Sequence, residues 1–300
     1  MTNPGWGGAA SEGTPPPQPR CVHHPDRPTA LSCTRCGRPA CPDCLRPASV
    51  GHQCVDCVAA GQRDSRQART VAGARVRTQA PTPLLTYLLI AANVAIFAVT
   101  AVQSRSLLDN HLSSPLFFDW VLWGPAVSAG QYIRILTSGF LHIGLMHLAV
   151  NMFALYVIGR DIELVLGRAR YLAVYLISLL GGSASVLMLA PMAPTAGASG
   201  AIFGLLGAQA VILLRLRRSP TPVLAVIAIN VIISITIPGI SLWGHMGGLV
   251  AGAAATAALL YAPSAVGAKD ADRVRTAGWA ALGSVGVLTL IVTAAAVAAI

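Results

Sequence analysis

Long apolar runs recur along most of the chain, each near the roughly 20 residues that a helix needs to cross a bilayer core of about 30 Å. They cover residues 84–103, 141–160, 171–190, 199–214, 222–238, 245–261 and 277–300. The pattern predicts seven transmembrane helices in an all-α polytopic membrane protein. Polar positions gather in the connections. Between the first two runs lies a long stretch, residues 104–140, whose Trp120 and Trp123 suit either a membrane interface or the packing of a loop. Basic residues occupy alternate connections: 63–77 before the first span, Arg160, Arg168 and Arg170 after the second, Arg215, Arg217 and Arg218 after the fourth, Lys269, Arg273 and Arg275 after the sixth. The intervening connections 191–198 and 239–244 carry no charge. Basic loops stay inside, so the amino terminus is expected in the cytoplasm and the carboxyl terminus outside.

Ahead of residue 84 the pattern changes. Residues 1–20, with the run Pro15-Pro16-Pro17-Gln18-Pro19, cannot bury a core and predict a disordered tail. No apolar segment of signal-peptide length is found there, so no secretory signal is expected. Residues 61–83 form a basic linker of small residues that ends at Pro81-Thr82-Pro83. Between tail and linker, residues 21–60 hold all seven cysteines, as Cys21-x-x-His24, Cys33-x-x-Cys36, Cys41-x-x-Cys44 and Cys54-x-x-Cys57. Four such pairs suit two tetrahedral zinc sites, and a reducing cytoplasm argues against disulfides. Sites saturated by protein ligands are structural rather than catalytic, and a segment this small and this poor in apolar residues needs metal to fold. His23 and His52 break the regular spacing and are read as surface residues.

Composition narrows the class. The 300 residues are 54% hydrophobic and 11% charged, against about 25% charged in an average soluble domain. A formal charge of +10 would suggest nucleic acid in a soluble protein, but beside apolar spans basic residues set topology, and no nucleic-acid partner is expected. Almost all of that charge is arginine, with Lys269 the single lysine. Together with the alanine-rich spans this fits a G+C-rich genome, and a bacterial plasma membrane is the expected location. A transporter or channel is disfavoured, because charged residues are nearly missing inside the spans and no inverted repeat is visible.

The polar residues that do enter the spans share one depth. His147, Asn151, Ser199 and His245 fall in the first turns of spans two, four and six, all of which run inward from the outer face. With a rise of about 1.5 Å per residue, they can meet if those helices are neighbours. A serine hydroxyl needs a base within hydrogen-bond reach, and His245 is the candidate. The acidic residue to weigh beside them, Glu163, lies just past the cytoplasmic end of the second span, too far from the outer-face site, so a Ser/His dyad without an aspartate is expected. His147 and Asn151, four apart, share a helical face, and with the Ser199 N–H at a helix start they are candidate oxyanion donors, a good one being worth about 3 kcal/mol. Gly197 and Gly200 would allow a tight turn and close backbone approach, and the small residues Gly248 and Gly252 would let span six press on span four.

The stretches Gly197-Ala198-Ser199-Gly200, Gly244-His245-Met246-Gly247-Gly248 and His147-x-x-x-Asn151 together resemble the rhomboid intramembrane serine proteases over about residues 84–261. The resemblance implies a six-helix core over 84–262, then a cytoplasmic connection and a seventh helix over 263–300. It makes Ser199 the nucleophile, His245 the base, and His147 and Asn151 the oxyanion donors, with no cofactor for catalysis. Phe203, by itself an ordinary core residue, falls at an aromatic position that packs against the histidine. Arg134 and Glu163 fall at positions that brace the first loop and the inner end of span two. His142 also precedes Asn151, but the spacing selects His147. Gly244 stands where alanine is frequent, and Phe203 where tyrosine is; neither change removes a catalytic group. Expected substrates are transmembrane proteins cut near the outer face, at small residues in readily unwound helices, with span five and the loop 239–244 as the gate. The cysteine-rich segment resembles B-box zinc fingers, which implies Cys21, His24, Cys41 and Cys44 on one ion and Cys33, Cys36, Cys54 and Cys57 on the other, and a cytoplasmic protein partner. The competing reading is a catalytically silent relative that binds transmembrane helices and recruits partners through the zinc segment; the presence of both Ser199 and His245 argues against it.

Overall fold

A computed structural model describes residues 17–64, 70–72 and 82–300. The chain divides into two compact units, Met1–Gln67 and Ala68–Ile300. Most of the predicted tail, and residues 65–69 and 73–81 of the predicted linker, lie outside the described residues.

In the first unit a 3₁₀ turn (Pro42–Cys44) leads into an antiparallel hairpin of β1 (Leu45–Pro47) and β2 (His52–Cys54), with Leu45 opposite Cys54, followed by α1 (Val55–Asp64). Among the described residues its interior is made chiefly of sulfur: Cys21, Cys33, Cys41, Cys44 and Cys54 are buried together with Ala40 and Leu45. Too little apolar surface is present to hold such a fold alone. The Thr29 N–H donates to the Pro19 carbonyl at 2.8 Å, so ordered structure begins before Cys21. Helix α1 continues to Asp64, inside the stretch predicted as linker, because Ala59, Ala60, Gln62 and Arg63 favour helix and Asp56 and Arg63 sit at the ends that suit their charges.

In the second unit, Thr70 donates to the Val165 carbonyl at 2.7 Å and Arg170 donates to that of Ala72, so part of the predicted linker is docked on the helical bundle. Helix α2 (Leu84–Ser104) starts after Pro83, which has no side chain able to cap it. The buried Glu163 carboxylate does so instead, accepting from the backbone N–H groups of Leu85 at 3.1 Å and Thr86 at 2.8 Å and from the Thr86 hydroxyl at 2.8 Å. Helix-start donors with no intrahelical partner are thereby satisfied.

The long connection folds into three short helices, α3 (Pro115–Trp120), α4 (Gly124–Ser128) and α5 (Arg134–Thr137). The buried Arg134 guanidinium knits them, donating to the carbonyls of Phe118 and Val121 at 2.5 and 2.9 Å and to Gln131 at 2.6 Å. The chain then bends by 91° between Arg134–Phe140 and Gly144–Leu166. Gly144, at φ +72°, makes the corner. Asn110 secures it, accepting from the Gly144 N–H and donating to the His142 carbonyl, both at 2.8 Å. The second apolar run therefore begins its helix at Gly144 rather than 141. It proceeds through α6 (Gly144–Ala154), a π-helical turn (Leu155–Gly159) and α7 (Arg160–Leu166), and ends at Gly167 with φ +81°.

Five helices complete the unit: α8 (Arg168–Leu189), α9 (Ser199–Arg215), α10 (Thr221–Thr236), α11 (Leu242–Ala265) and α12 (Ala271–Ala298). All seven apolar runs are thus helical, yet length and composition qualify four of them to cross a membrane, α2, α8, α11 and α12, and a fifth if the bent pair is one span. Helices α9 and α10, with 17 and 16 residues, are shorter than the predicted spans require.

The centre of the unit is the contact of α11 with α8 and α9, where backbones meet. A methyl group on Gly248 would lie 2.7 Å from the Gly200 carbonyl carbon, and one on Gly252 2.5 Å from the Gly204 Cα. Neither neighbour is a side chain that could yield. By contrast, a methyl on Gly283 of α12 would meet nothing within 4 Å. Gly252→Ala is therefore expected to lower the thermal unfolding midpoint in detergent, overpacking costing about 1–3 kcal/mol, while Gly283→Ala leaves it unchanged or slightly higher. Equal midpoints for the two variants would show that the α9–α11 contact is not tight.

Candidate active site

Ser199 is the first residue of α9, and the loop before it is pinned from outside. Leu122 and Thr195 exchange backbone hydrogen bonds at 3.0 and 2.9 Å, and the Gly197 N–H donates to the Ser138 carbonyl at 2.9 Å. Gly197 has φ +133°, a conformation that side chains disfavour. His245 sits in the first turn of α11, which Ser241 caps by accepting from the Gly244 N–H at 3.1 Å. Close packing of α9 on α11 brings the two helix starts together, and His245 Nε2 lies 2.8 Å from Ser199 Oγ.

The His245 ring is buried and held on both sides. Phe203, one turn along α9, stacks on it with centroids 4.1 Å apart and planes 8° from parallel, and needs no hydroxyl to do so. On the far edge, Nδ1 lies 2.7 Å from Ser234 Oγ on α10. Ser234 was not singled out in the sequence. It is a polar residue in an apolar run, but which way it faces depends on how α10 packs. Asn110, which secures the corner before α6, was missed for the same reason.

His147 and Asn151 lie on α6 and border the same cavity, of about 620 Å³, as Ser199 and His245. The Ile143 N–H donates to His147 Nδ1 at 3.2 Å, so a neutral ring carries its proton on Nε2. That atom points toward the serine loop: a methyl on Gly197 would come within 3.0 Å of His147 Nε2 and 3.6 Å of Ser199 Oγ. Asn151 uses one of its two amide N–H groups on the His147 carbonyl at 2.9 Å, which leaves the other as a donor. His142 is fully buried with its ring 5.1 Å from that of His147. His147, Asn151, Ser199 and His245 thus border one cavity with Gly197, Gly200 and Phe203, while Gly248 and Gly252 lie along the α9–α11 seam. A hydroxyl and an imidazole in contact, with N–H donors across a cavity, can carry out nucleophilic attack on a carbonyl and stabilise the resulting oxyanion.

Two groups in the first unit can hold a metal ion: Cys21, His24, Cys41 and Cys44, and Cys33, Cys36, Cys54 and Cys57. Their donor atoms lie within 4.8 Å of one another. His24 Nδ1 is 3.8, 3.4 and 3.3 Å from the sulfurs of Cys21, Cys41 and Cys44, and Cys36 Sγ is 3.8 Å from Cys54 Sγ. A tetrahedron with zinc–sulfur bonds of about 2.3 Å has edges of roughly 3.8 Å, so the donors fit. The Cys54 N–H donates to Cys33 Sγ at 3.2 Å and helps hold that thiol down to about 6, whereas crowding by Cys36 pushes Cys57 up to about 12. Thiolates so close repel one another until a cation neutralises them. His23 and His52 belong to neither group; His23 lies 3.1 Å from Asp56.

A model of the Rhomboid domain matches residues 129–262. Among curated proteins the chain is 36% identical to "Rhomboid protease GluP" of Bacillus subtilis, over 59% of this chain and 35% of that one. It is 31% identical to "RHOMBOID-like protein 7" of Arabidopsis thaliana, over 52% of each. It is 30% identical to "Putative rhomboid protease YdcA" of Bacillus subtilis, over 44% of this chain and 73% of that one. The chain spans about a third to a half of the length of the first two.

Proposed function

The chain belongs to the rhomboid family of multi-pass membrane proteins, and from that premise we propose that it is an intramembrane serine endopeptidase, cutting peptide bonds in or next to transmembrane segments of other proteins. The observation that carries this reading is the 2.8 Å contact between Ser199 Oγ and His245 Nε2 at the edge of a cavity. In the proposed reaction, Ser199 Oγ attacks the carbonyl carbon while its proton passes to His245 Nε2. The oxyanion takes hydrogen bonds from His147 Nε2–H, the free Asn151 amide N–H and the Ser199 N–H at the start of α9. Collapse of the tetrahedral intermediate breaks the C–N bond, and His245 gives its proton to the departing amine. Water then hydrolyses the acyl-enzyme by the same sequence, with His245 as base.

Helix α10 borders the cavity through Val226, Asn230, Ile233 and Ser234. Few of its residues are buried, which supports it and the loop 239–244 as the side from which a substrate helix enters. We also propose seven crossings in a bacterial plasma membrane, with the amino terminus cytoplasmic and the carboxyl terminus outside, on the distribution of arginines between connections. The short α9 and α10 fit locally thinned lipid. The two four-donor groups are proposed to hold structural zinc in a B-box-like unit; zinc there would fold the unit and take no part in the reaction.

Two experiments test these assignments. In liposomes, cleavage of a transmembrane substrate is expected to fall by about 10³-fold or more in Ser199→Ala and in His245→Ala, and by about 10²-fold in Asn151→Ala. Undiminished cleavage by folded Ser199→Ala protein would sink the mechanism, and an intact substrate panel with wild type would favour a silent, helix-binding relative. Elemental analysis of the purified chain is expected to give two zinc ions per chain, and one in Cys44→Ser, with cleavage activity retained; a chain that folds fully without metal would exclude the structural role.

A further inference from the structure

We propose that Ser234 is a positioning residue that holds His245 in the one tautomer able to act as a base. This rests on the serine-protease reading above. Ser234 Oγ has two partners, the Asn230 carbonyl oxygen at 2.6 Å and His245 Nδ1 at 2.7 Å, but only one proton. The carbonyl has none to give. Two oxygens 2.6 Å apart repel unless a proton lies between them, so the Ser234 proton must point at Asn230. Ser234 Oγ is then left as an acceptor, and Nδ1 must be the N–H that faces it. In a neutral imidazole this leaves Nε2 with its lone pair toward Ser199 Oγ, 2.8 Å away, ready to take the hydroxyl proton. The opposite arrangement would place the proton on Nε2 and remove the base.

Surroundings enforce the choice. Ser234 is buried against the His245 ring, and the stacked Phe203 ring restrains that ring from turning. Where a triad would use an aspartate to select the tautomer, this site uses a hydroxyl backed by a helix carbonyl. Ser234 also lies on α10, of whose 16 residues only Val223 and Ser234 itself are buried. The alignment of the base therefore depends on α10 being seated.

The test uses the full chain in liposomes, as wild type, Ser199→Ala, Ser234→Ala and Ser234→Thr, each checked for folding. Ser234→Ala is expected to lower kcat by about 10- to 100-fold with KM changed less than about twofold, and Ser234→Thr, which keeps the hydroxyl, to recover most of it. In parallel, solid-state NMR of ¹⁵N-histidine-labelled protein reads the His245 nitrogens, assigned by their loss in His245→Ala. Wild type is expected to show Nδ1 protonated and Nε2 bare, with the Nε2-protonated form appearing in Ser234→Ala. An unchanged kcat in Ser234→Ala beside a dead Ser199→Ala, or a wild-type His245 protonated on Nε2, overturns the proposal. If wild type cleaves nothing, the protease reading is what fails, and the nitrogen spectrum alone decides the role of Ser234.

Discussion

Ser199 and His245 stand at the starts of two helices, and the 2.8 Å between their reactive atoms follows from how closely those helices approach. At Gly200, Gly204, Gly248 and Gly252, the α9–α11 contact is backbone on backbone. Inside lipid no hydrophobic force drives helices together, so dispersion between closely fitted surfaces does, and small residues permit the fit. Larger side chains along this seam would separate the helix starts. Packing deep in the bundle therefore governs the geometry at its edge.

Two polar clusters stand apart in the bundle. At one, Glu163 satisfies the start of α2; at the other, the site, the side-chain partners of His245 are the hydroxyls of Ser199 and Ser234. There, hydroxyls, imidazoles, an amide and backbone groups supply the hydrogen bonds. A buried carboxylate near His245 would carry a large desolvation cost, whereas the neutral Ser234 hydroxyl, already bonded to its own helix, carries little.

The first unit solves a different problem by related means. With Ala40 and Leu45 as the only buried apolar side chains besides the cysteines among its described residues, it has little core to collapse around. Its ligand groups interleave along the chain, so that residues 21 and 24 join 41 and 44 across the group that holds 33 and 36. A metal bound at either group closes a loop containing ligands of the other, which couples the two in folding.

Much of this was legible in the sequence, because the signals were local. Apolar run length foretold the helices, cysteine spacing foretold two four-ligand groups whose membership the B-box resemblance implied, and the positions of His147, Asn151, Ser199 and His245 within their runs allowed them to meet if those helices were neighbours. Features set by contacts between distant segments were not. The 91° bend, which moves the start of the second span from 141 to Gly144, needs Asn110 to reach across from the preceding connection. Length and composition leave α9 and α10 short of the spans that their apolar runs suggested. Ser234 reads in sequence as one more hydroxyl in a hydrophobic helix, and only the rotation of α10 against α11 turns it toward His245. Sequence by itself determined which residues are candidates for chemistry and where along their apolar runs they lie, since composition and helical rise depend only on neighbours along the chain. Tertiary structure decided which atoms touch, since facing, bending and proton direction depend on neighbours in space.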